Sequence, residues 1–400
     1  MAATRTHLGD SHNFGRRVEQ RGGRVVKPRA LLWEWLVLAG DSPLRRLLEE
    51  AAARDGFVGP DAFAFLPSLA FQTPTHPRLG GEVEAVKLAR LEVASIEERR
   101  ALAETVGRMI ALFGWLGVSD LHWENLVLGR NGRGDVVFAP LDVEMILADL
   151  SLPTETKLLP DADPEVAAIC RHACGVRRVL PFLGKPIDPD DVVAMAGAYL
   201  ATLGLLDRHA PEIADVFSRL PGLCETPIRV CLRGTDEYVR ARTRPVWPPL
   251  LDAEAEQLAR GDIPYFFRLY GARGIRYYAD PSLERVAQLP TKGDVPHLDP
   301  MLSLSRDLRS PSRRKLREEG LLTVVGAFDH PSFKGVHASD ALEVGFRGRT
   351  LVLRFADGGE LESRRDLRAF VGSVYLPCTC GEVRSVFVPR ATICDAAPPA

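Results

Sequence analysis

Residues 95–144 constrain the fold most, because a long helical pattern runs directly into a polar loop and a hairpin pattern. Ser95 and Glu98 have the spacing of a capping box, which is typical of a helix start. The apolar residues that follow recur with helical spacing, at Leu102, Val106, Ile110, Phe113 and Leu116. The pattern therefore predicts a helix over residues 96–117.

A β-hairpin is predicted directly after this helix. The turn cluster RNGRG separates an alternating strand over residues 125–128 from a more apolar strand over residues 136–143. Asp120 and Asn125 then stand at the entrance of the hairpin, and Asp142 stands at its exit.

The polar residues around this hairpin match the requirements of ATP-dependent phosphoryl transfer. That reaction needs a carboxylate near the attacking hydroxyl, oxygen ligands for Mg²⁺, and a lysine over the phosphates. Asp120 and Asn125 have the spacing of the base and the metal ligand in the protein-kinase catalytic loop, and Asp142 follows as a second ligand. Lys27 lies on a predicted N-terminal strand. Each residue alone would more often be a cap or a turn residue, but the four in this order favour a phosphotransferase.

Two other nucleotide-binding classes are disfavoured because their motifs are absent from the sequence. The sequence has no Walker A loop and no G-x-G-x-x-G motif, which argues against a P-loop NTPase and a dinucleotide-dependent enzyme.

The remaining patterns mix helices and strands, so we expect the α+β class. In the first half of the chain they are a hairpin over residues 15–29 with strands at 16–19 and 25–27, helical spacing over 30–54, and a loop with short pieces of regular structure over 57–83. In the second half they are mostly helix over 164–220, a short amphipathic helix over 248–262, a basic polar stretch over 300–320 and alternating strands over 321–391. The predicted units are a catalytic domain over 1–300 with a small lobe over about 1–95 and a large lobe over about 96–300, a linker over 301–320 and a small β-rich unit over 321–400.

Composition narrows the function classes. The 51 basic and 53 acidic residues give a net charge of −2, which argues against a nucleic-acid-binding protein. The sequence contains no run of about 18 apolar residues that would predict a membrane span, and its start, MAATRTHLGD, lacks a secretory signal. We therefore expect a cytoplasmic protein without a membrane partner.

Packing is favoured over metal binding for the seven cysteines, including the two groups Cys170 with Cys174, and Cys378 with Cys380 and Cys394.

Short motifs along the chain carry a family resemblance. They are GDSH with GR at residues 9–16, GRVVKPR at 23–29, SDLHWEN at 119–125, DVE at 142–144, Thr156 before LLP, RVCLRGTDEY at 229–238 and GDIPYF at 261–266. In this combination and order the chain resembles the dehydratase domain of the class II lanthipeptide synthetases, the LanM family. The resemblance covers roughly residues 8–270 and implies a two-lobed fold of the lipid-kinase type.

The resemblance implies a reaction in two steps. A Ser or Thr side chain is phosphorylated with ATP and Mg²⁺, and the phosphate is then eliminated to leave a dehydroamino acid. The residues implied in the first step are Asp10, His12, Lys27, Asp120, His122, Asn125 and Asp142. The residues implied in the elimination are Thr156, Arg229 and Thr235. An arginine suits the leaving phosphate because its guanidinium binds phosphate in a bidentate way.

The expected substrate is a peptide or a carrier-bound amino acid, and a separate cyclase or other tailoring enzyme is the expected protein partner. Residues 321–391 do not resemble the family's zinc-binding cyclase domain, so ring formation is not expected. One alternative is a small-molecule phosphotransferase of the aminoglycoside or choline kinase type, because residues 119–144 fit that class equally well. A second alternative is a non-catalytic module with a kinase-like fold. The flanking motifs favour the dehydratase.

Overall fold

The computed structural model describes residues 5–56, 62–72, 80–148, 150, 153–159, 174–184, 188–246, 249–272 and 274–290, and the strands within 341–388. Helices and antiparallel sheets alternate along this part of the chain, which confirms the α+β class. None of the helices in these ranges is long and apolar enough to cross a membrane.

The first sheet contains five antiparallel strands in the order β1-β2-β3-β5-β4. The strands are β1 (Arg5–His12), β2 (Arg16–Arg21), β3 (Arg24–Lys27), β4 (Phe71–Gln72) and β5 (Gly81–Glu84). The predicted hairpin over residues 15–29 is confirmed as β2 and β3, joined at Gly22 with a φ of +61°. Gly80 lets β5 approach Lys27, because a Cβ at Gly80 would lie 2.0 Å from the Lys27 carbonyl oxygen.

Two helices, α1 (Leu32–Leu38) and α2 (Pro43–Arg54), occupy the stretch that the sequence predicted as helical. The break between them comes from Ser42, whose hydroxyl accepts a hydrogen bond from the Arg45 amide at 3.1 Å. Pro43 fits the first position of α2 because that position needs no amide donor. Almost all of α1 is buried, including its only acidic residue, Glu34.

The predicted long helix is confirmed as α3 (Ile96–Trp115). Ser95 caps it, since its hydroxyl accepts from the Glu98 amide at 3.1 Å. The Glu98 carboxylate accepts from the Ala94 amide at 2.7 Å. Helix α3 packs closely on α5 (Pro189–Arg208), because a Cβ at Gly107 would lie only 2.1 Å from the Met195 carbonyl oxygen.

One continuous apolar core joins α1 and α2 to α3 and α5. Trp33, Leu48, Phe113 and Tyr199 are each at most 2% exposed and all belong to this core. The core therefore crosses the predicted lobe boundary near residue 95, and the division of the chain into domains stays a prediction.

The predicted hairpin after α3 is confirmed as β6 (Leu126–Arg130) and β7 (Val136–Pro140), with Leu126 opposite Pro140. Asn131 closes its turn, because the Asn131 side-chain oxygen accepts from the amides of Arg133 at 2.9 Å and Asp135 at 3.0 Å. Asn125 lies in a short 3-10 turn just before β6, where the sequence had predicted the first strand residue.

The remaining elements include a second antiparallel sheet, in the order β11-β10-β9-β8. They are α4 (Leu180–Leu183), α6 (Ala210–Ser218), β8 (Pro227–Val230), α7 (Thr235–Ala241), α8 (Asp252–Ala259), β9 (Phe266–Leu269), β10 (Arg276–Tyr278) and β11 (Val286–Gln288). The helices confirm the predicted helical content of the described parts of residues 164–220 and 248–262.

Five further strands lie near the C-terminus, where the sequence predicted alternation. They are β12 (Ala341–Arg347), β13 (Thr350–Phe355), β14 (Glu360–Asp366), β15 (Gly372–Pro377) and β16 (Val383–Val388), in a three-stranded sheet and a separate pair. The predicted linker and the cysteines Cys170, Cys378, Cys380 and Cys394 lie outside the described residues.

Candidate active site

Lys27, the last residue of β3, is buried and makes two hydrogen bonds. Its Nζ donates to Glu34 Oε2 at 2.8 Å and to the Leu141 carbonyl oxygen at 2.6 Å. Glu34 comes from α1, only seven residues further along, whereas Leu141 lies 114 residues away at the end of the β6–β7 hairpin. Lys27 therefore connects the first sheet to the residue before Asp142.

A network of alternating charges extends from this lysine. Arg29 forms ion pairs with Glu34, with Asp142 Oδ1 at 2.7 Å and with Glu144 Oε2 at 3.1 Å. Glu144 Oε1 is in turn paired with Arg229 on β8. We call Lys27, Arg29, Glu34, Asp142, Glu144 and Arg229 the charge network. Its three cations balance its three anions, as buried charges require.

Asp142 is the most open member of the charge network. Its side chain is 31% exposed, against 1% for Glu34 and 15% for Arg229. The surrounding protein alone would raise the pKa of Asp142, but the charges of Arg29, Lys27 and Arg229 hold it below its usual value. Asp142 is therefore an ionised carboxylate that a ligand can reach.

The neighbouring loop holds Asp120 in an unusual backbone conformation, with a φ of +66° that non-glycine residues rarely adopt. Asn125 Nδ2 donates to the Asp120 carbonyl oxygen at 2.8 Å and lies 3.3 Å from Asp120 Oδ2. Lys157 Nζ donates to Asp120 Oδ1 at 2.8 Å. Strain of this kind persists only where surrounding contacts fix the backbone, and it is common at functional sites.

The backbone of Leu141 brings the loop and the charge network together. Its amide donates to the Asn125 carbonyl oxygen at 2.7 Å, while its own carbonyl accepts from Lys27. The four residues that the sequence predicted as a phosphotransferase site therefore gather at one end of the hairpin.

This end of the hairpin has the donor atoms that Mg²⁺ prefers. The Asn125 amide nitrogen is bound to Asp120, which leaves the amide oxygen to act as a ligand, and Asp142 supplies a carboxylate. Within the described residues, no group of three or more His, Cys, Asp or Glu side chains is arranged to hold a metal. Mg²⁺ commonly binds through one or two carboxylates completed by phosphate oxygens and water, so the two residues fit a metal that arrives with a nucleotide.

Cys231 is close enough to both the loop and the charge network for the charges of each to act on its thiol. Burial raises the pKa of its thiol, and the charges of Arg229, Asp120, Glu144 and Lys157 all act on it. Cys174, by contrast, is buried away from any metal-binding group within the described part of the chain.

His12 lies on the Arg229 side of the network. Its Nδ1 donates to the Ile263 carbonyl oxygen at 2.8 Å, and its ring meets the Tyr265 ring edge-on at 6.0 Å. Arg229 lies over the same tyrosine ring at 5.5 Å. Burial, and secondly the Arg229 charge, lower the pKa of His12, so the imidazole is held neutral. Asp10 is exposed on β1, and its charge also acts on His12.

Three predicted residues do not converge on this arrangement. Thr156 is fully enclosed, because its hydroxyl donates to the Pro153 carbonyl oxygen at 2.6 Å and accepts from the Leu158 amide at 3.0 Å. Thr235 is exposed at the first position of α7. His122 is partly exposed, with its Nδ1 3.9 Å from Glu124 Oε2, while its backbone pairs with Cys174.

Sequence reasoning missed several residues that complete the site. They are Arg29, Glu34, Glu144, Lys157 and Tyr265. Glu34 had a usable signal, since it is the only charged residue in the apolar stretch LWEWLVL. Lys157 had none, because its contact with Asp120 spans 37 residues.

In comparisons with known proteins, no protein-family model and no curated protein matches this sequence. A functional proposal therefore depends on the charge network, on the Asp120 loop and on the motifs of the sequence.

Proposed function

We propose that the chain is an ATP- and Mg²⁺-dependent phosphotransferase with a two-lobed, kinase-like fold. The observation that carries this proposal is the position of Lys27, which pairs with Glu34 from the next helix and reaches the residue before Asp142. In protein kinases a strand lysine paired with a helix glutamate holds the nucleotide phosphates, and an aspartate after a hairpin holds the metal.

The roles of the remaining residues follow from their positions. Asn125 and Asp142 would hold the Mg²⁺, which would supply positive charge beside the transferring phosphoryl group. Asp120 is exposed enough, at 30%, to meet an acceptor hydroxyl, and its fixed backbone aims the carboxylate. As a general base it would accept the hydroxyl proton.

We further propose that phosphate elimination follows, so that the overall reaction dehydrates a Ser or Thr residue. The resemblance to the LanM dehydratases supports this step, as does the position of Arg229 beside His12 and Tyr265. The substrate is a peptide or a carrier-bound amino acid, handled in the cytoplasm, and the dehydrated product passes without ring formation to a separate cyclase or other tailoring enzyme.

The second candidate is a small-molecule kinase, and one observation favours it. Thr156 and Thr235, which an elimination centre would need beside Arg229, are respectively enclosed in a turn and exposed on α7. Without them the site performs phosphoryl transfer alone.

Mass spectrometry of the product separates the two candidates. The wild type, supplied with ATP, Mg²⁺ and Ser- and Thr-containing peptides encoded beside its gene, should give peptides that have lost water. Arg229→Lys keeps a cation opposite Glu144 but removes the guanidinium fork, so it should accumulate the phosphorylated peptide. Arg219→Lys, a matched change in an exposed pair with Asp215, should behave as the wild type.

The outcomes discriminate clearly. A wild type that leaves the peptides unchanged but converts amino alcohols or aminoglycosides into stable phosphorylated products supports the small-molecule kinase. A third outcome is that the protein binds ATP but transfers phosphate to none of the acceptors, whether peptides, amino alcohols or aminoglycosides. This outcome supports a non-catalytic kinase-like module and contradicts the proposal.

A further inference from the structure

Two segments far apart in sequence are joined by hydrogen bonds beside the candidate site, and we call this pairing of residues 11–15 with residues 260–265 the lock. One is the turn between β1 and β2, in which Asn13, Phe14 and Gly15 all have positive φ values of 49°, 69° and 79°. The other is the loop over residues 260–265, which contains the first five residues of the GDIPYF motif and supplies no residue to the proposed phosphoryl transfer.

Asp262 holds the turn through its carboxylate. Its Oδ2 accepts from the Phe14 amide at 2.7 Å, and its Oδ1 accepts from the Gly15 amide at 2.9 Å. Successive amides in such a turn form a concave anion-binding site, and here the anion is the chain's own carboxylate. Asp262 is fully buried, and Arg260 Nε supports it at 2.9 Å while its guanidinium lies over the Phe14 ring.

The same lock fixes the backbone on the other side of His12. The Ile263 amide donates to the Ser11 carbonyl oxygen at 2.8 Å, and the Ser11 hydroxyl donates to the Gly261 carbonyl oxygen at 3.2 Å. His12 then bonds the Ile263 carbonyl. The residues on both sides of His12 are therefore held by Asp262 or by its immediate neighbours.

We propose that Asp262 is a positioning residue that sets the His12 imidazole against Tyr265 and Arg229. Consecutive non-glycine residues with positive φ are strained and keep that conformation only while their surroundings fix it. Loss of the Asp262 carboxylate releases the amides of Phe14 and Gly15, and the turn relaxes. His12 then moves away from the Ile263 carbonyl and toward solvent. Any catalytic consequence depends on the proposed function, but the placement of His12 does not.

The pKa of His12 reports how the imidazole is placed. In the wild type, burial and Arg229 lower its pKa, so relaxation in Asp262→Asn should return the pKa toward the ordinary value of about 6.5. Burial would raise the pKa of Asp262 itself, but Arg260 and the Gly15 and Phe14 amides hold it below its usual value. Asp262 consequently stays ionised while the histidines titrate. NMR follows the nine imidazoles, and His12→Gln assigns the signal.

Asp280→Asn is the matched control. Asp280 also accepts from two backbone amides, of Ser282 and Arg285, each at 2.9 Å, but in an exposed turn after β10. The His12 titration should be unchanged in this variant. A folded Asp262→Asn protein whose His12 titrates as in the wild type would overturn the proposal.

Two further measurements keep the test decisive. If Asp262→Asn does not fold, Arg260→Met keeps the carboxylate and removes the guanidinium that pairs with it and lies over the Phe14 ring. This variant should shift the His12 pKa in the same direction by less, and no shift would refute the positioning role. In the folded Asp262→Asn variant, misplacement of His12 should lower kcat for dehydration by at least about tenfold. KM for ATP should stay unchanged, because Lys27 and Asp142 are paired with Glu34 and Arg29 of the charge network. If the wild type transfers no phosphate, the proposed function fails, and the His12 titration still decides this inference.

Discussion

The charge network and the Asp120 loop meet at the same end of the β6–β7 hairpin, but they are held in different ways. In the network, every side chain except Asp142 is at most 15% exposed, and each charge has an opposite charge as its neighbour. In the loop, Asp120 is 30% and its partner Lys157 is 60% exposed. Backbone conformation, rather than burial, fixes the Asp120 carboxylate.

Because of this difference, changes in the two regions should affect the free energy of unfolding by different amounts. Removing one partner of a buried ion pair costs about 3–5 kcal/mol, whereas an exposed pair contributes about 0–1 kcal/mol. The network is therefore the buried half of the candidate site and the loop is its open half; under the proposed function the first would hold the nucleotide and the second would meet the acceptor. Variants in each half test this division.

The largest effect is expected from Glu34→Gln. The change leaves the buried cations Lys27 and Arg29 without their shared carboxylate, and we expect the free energy of unfolding to fall by about 3–5 kcal/mol. Urea denaturation followed by circular dichroism measures it. Asp215→Asn, in the exposed pair with Arg219 at the end of α6, should change the value by less than about 1 kcal/mol. Equal losses in both variants would remove the distinction between the halves.

Asp120→Asn should reverse the pattern. The ion pair with Lys157 is solvent-exposed, so the free energy of unfolding should fall by less than about 1 kcal/mol. Loss of the general base should reduce kcat at least about a hundredfold. Assays of phosphate transfer measure kcat, and urea denaturation measures the free energy of unfolding. Lys157→Met serves as the control, because it removes the same ion pair without removing the base. Comparable kcat losses in the two variants would argue against the base role.

The smallest effect on phosphate transfer is expected at Thr156, whose backbone carbonyl supports the loop by accepting from the Leu121 amide at 2.9 Å. Thr156→Val leaves the Pro153 carbonyl and the Leu158 amide without their partner, so we expect a loss of about 1–3 kcal/mol in the free energy of unfolding. Thr156→Ser keeps the hydroxyl and should retain most of the stability. If Thr156→Val keeps wild-type stability but stops water loss from the phosphorylated peptide, Thr156 acts in elimination rather than in the turn.

The local elements of the site were readable from the sequence because each depends on contacts a few residues apart. The Ser95 cap with the helical period, and the RNGRG turn between two apolar strands, predicted α3 and the β6–β7 hairpin. The break between α1 and α2 was missed, since the helical spacing continued through Ser42 and Pro43. The predicted positions of Asp120, Asn125 and Asp142 relative to the hairpin followed directly from these elements.

The sequence by itself determined which residue types lie at the ends of the hairpin and on β3, because hydrophobic period and turn chemistry act over short distances. Only the tertiary structure decided which of them share a site. Lys27 and Leu141 meet across 114 residues, Arg229 and Glu144 across 85, and Phe14 and Asp262 across 248. Such pairs form because packing of the apolar clusters brings their strands and loops together, and a buried charge then requires an opposite charge beside it. No local pattern specifies that partner.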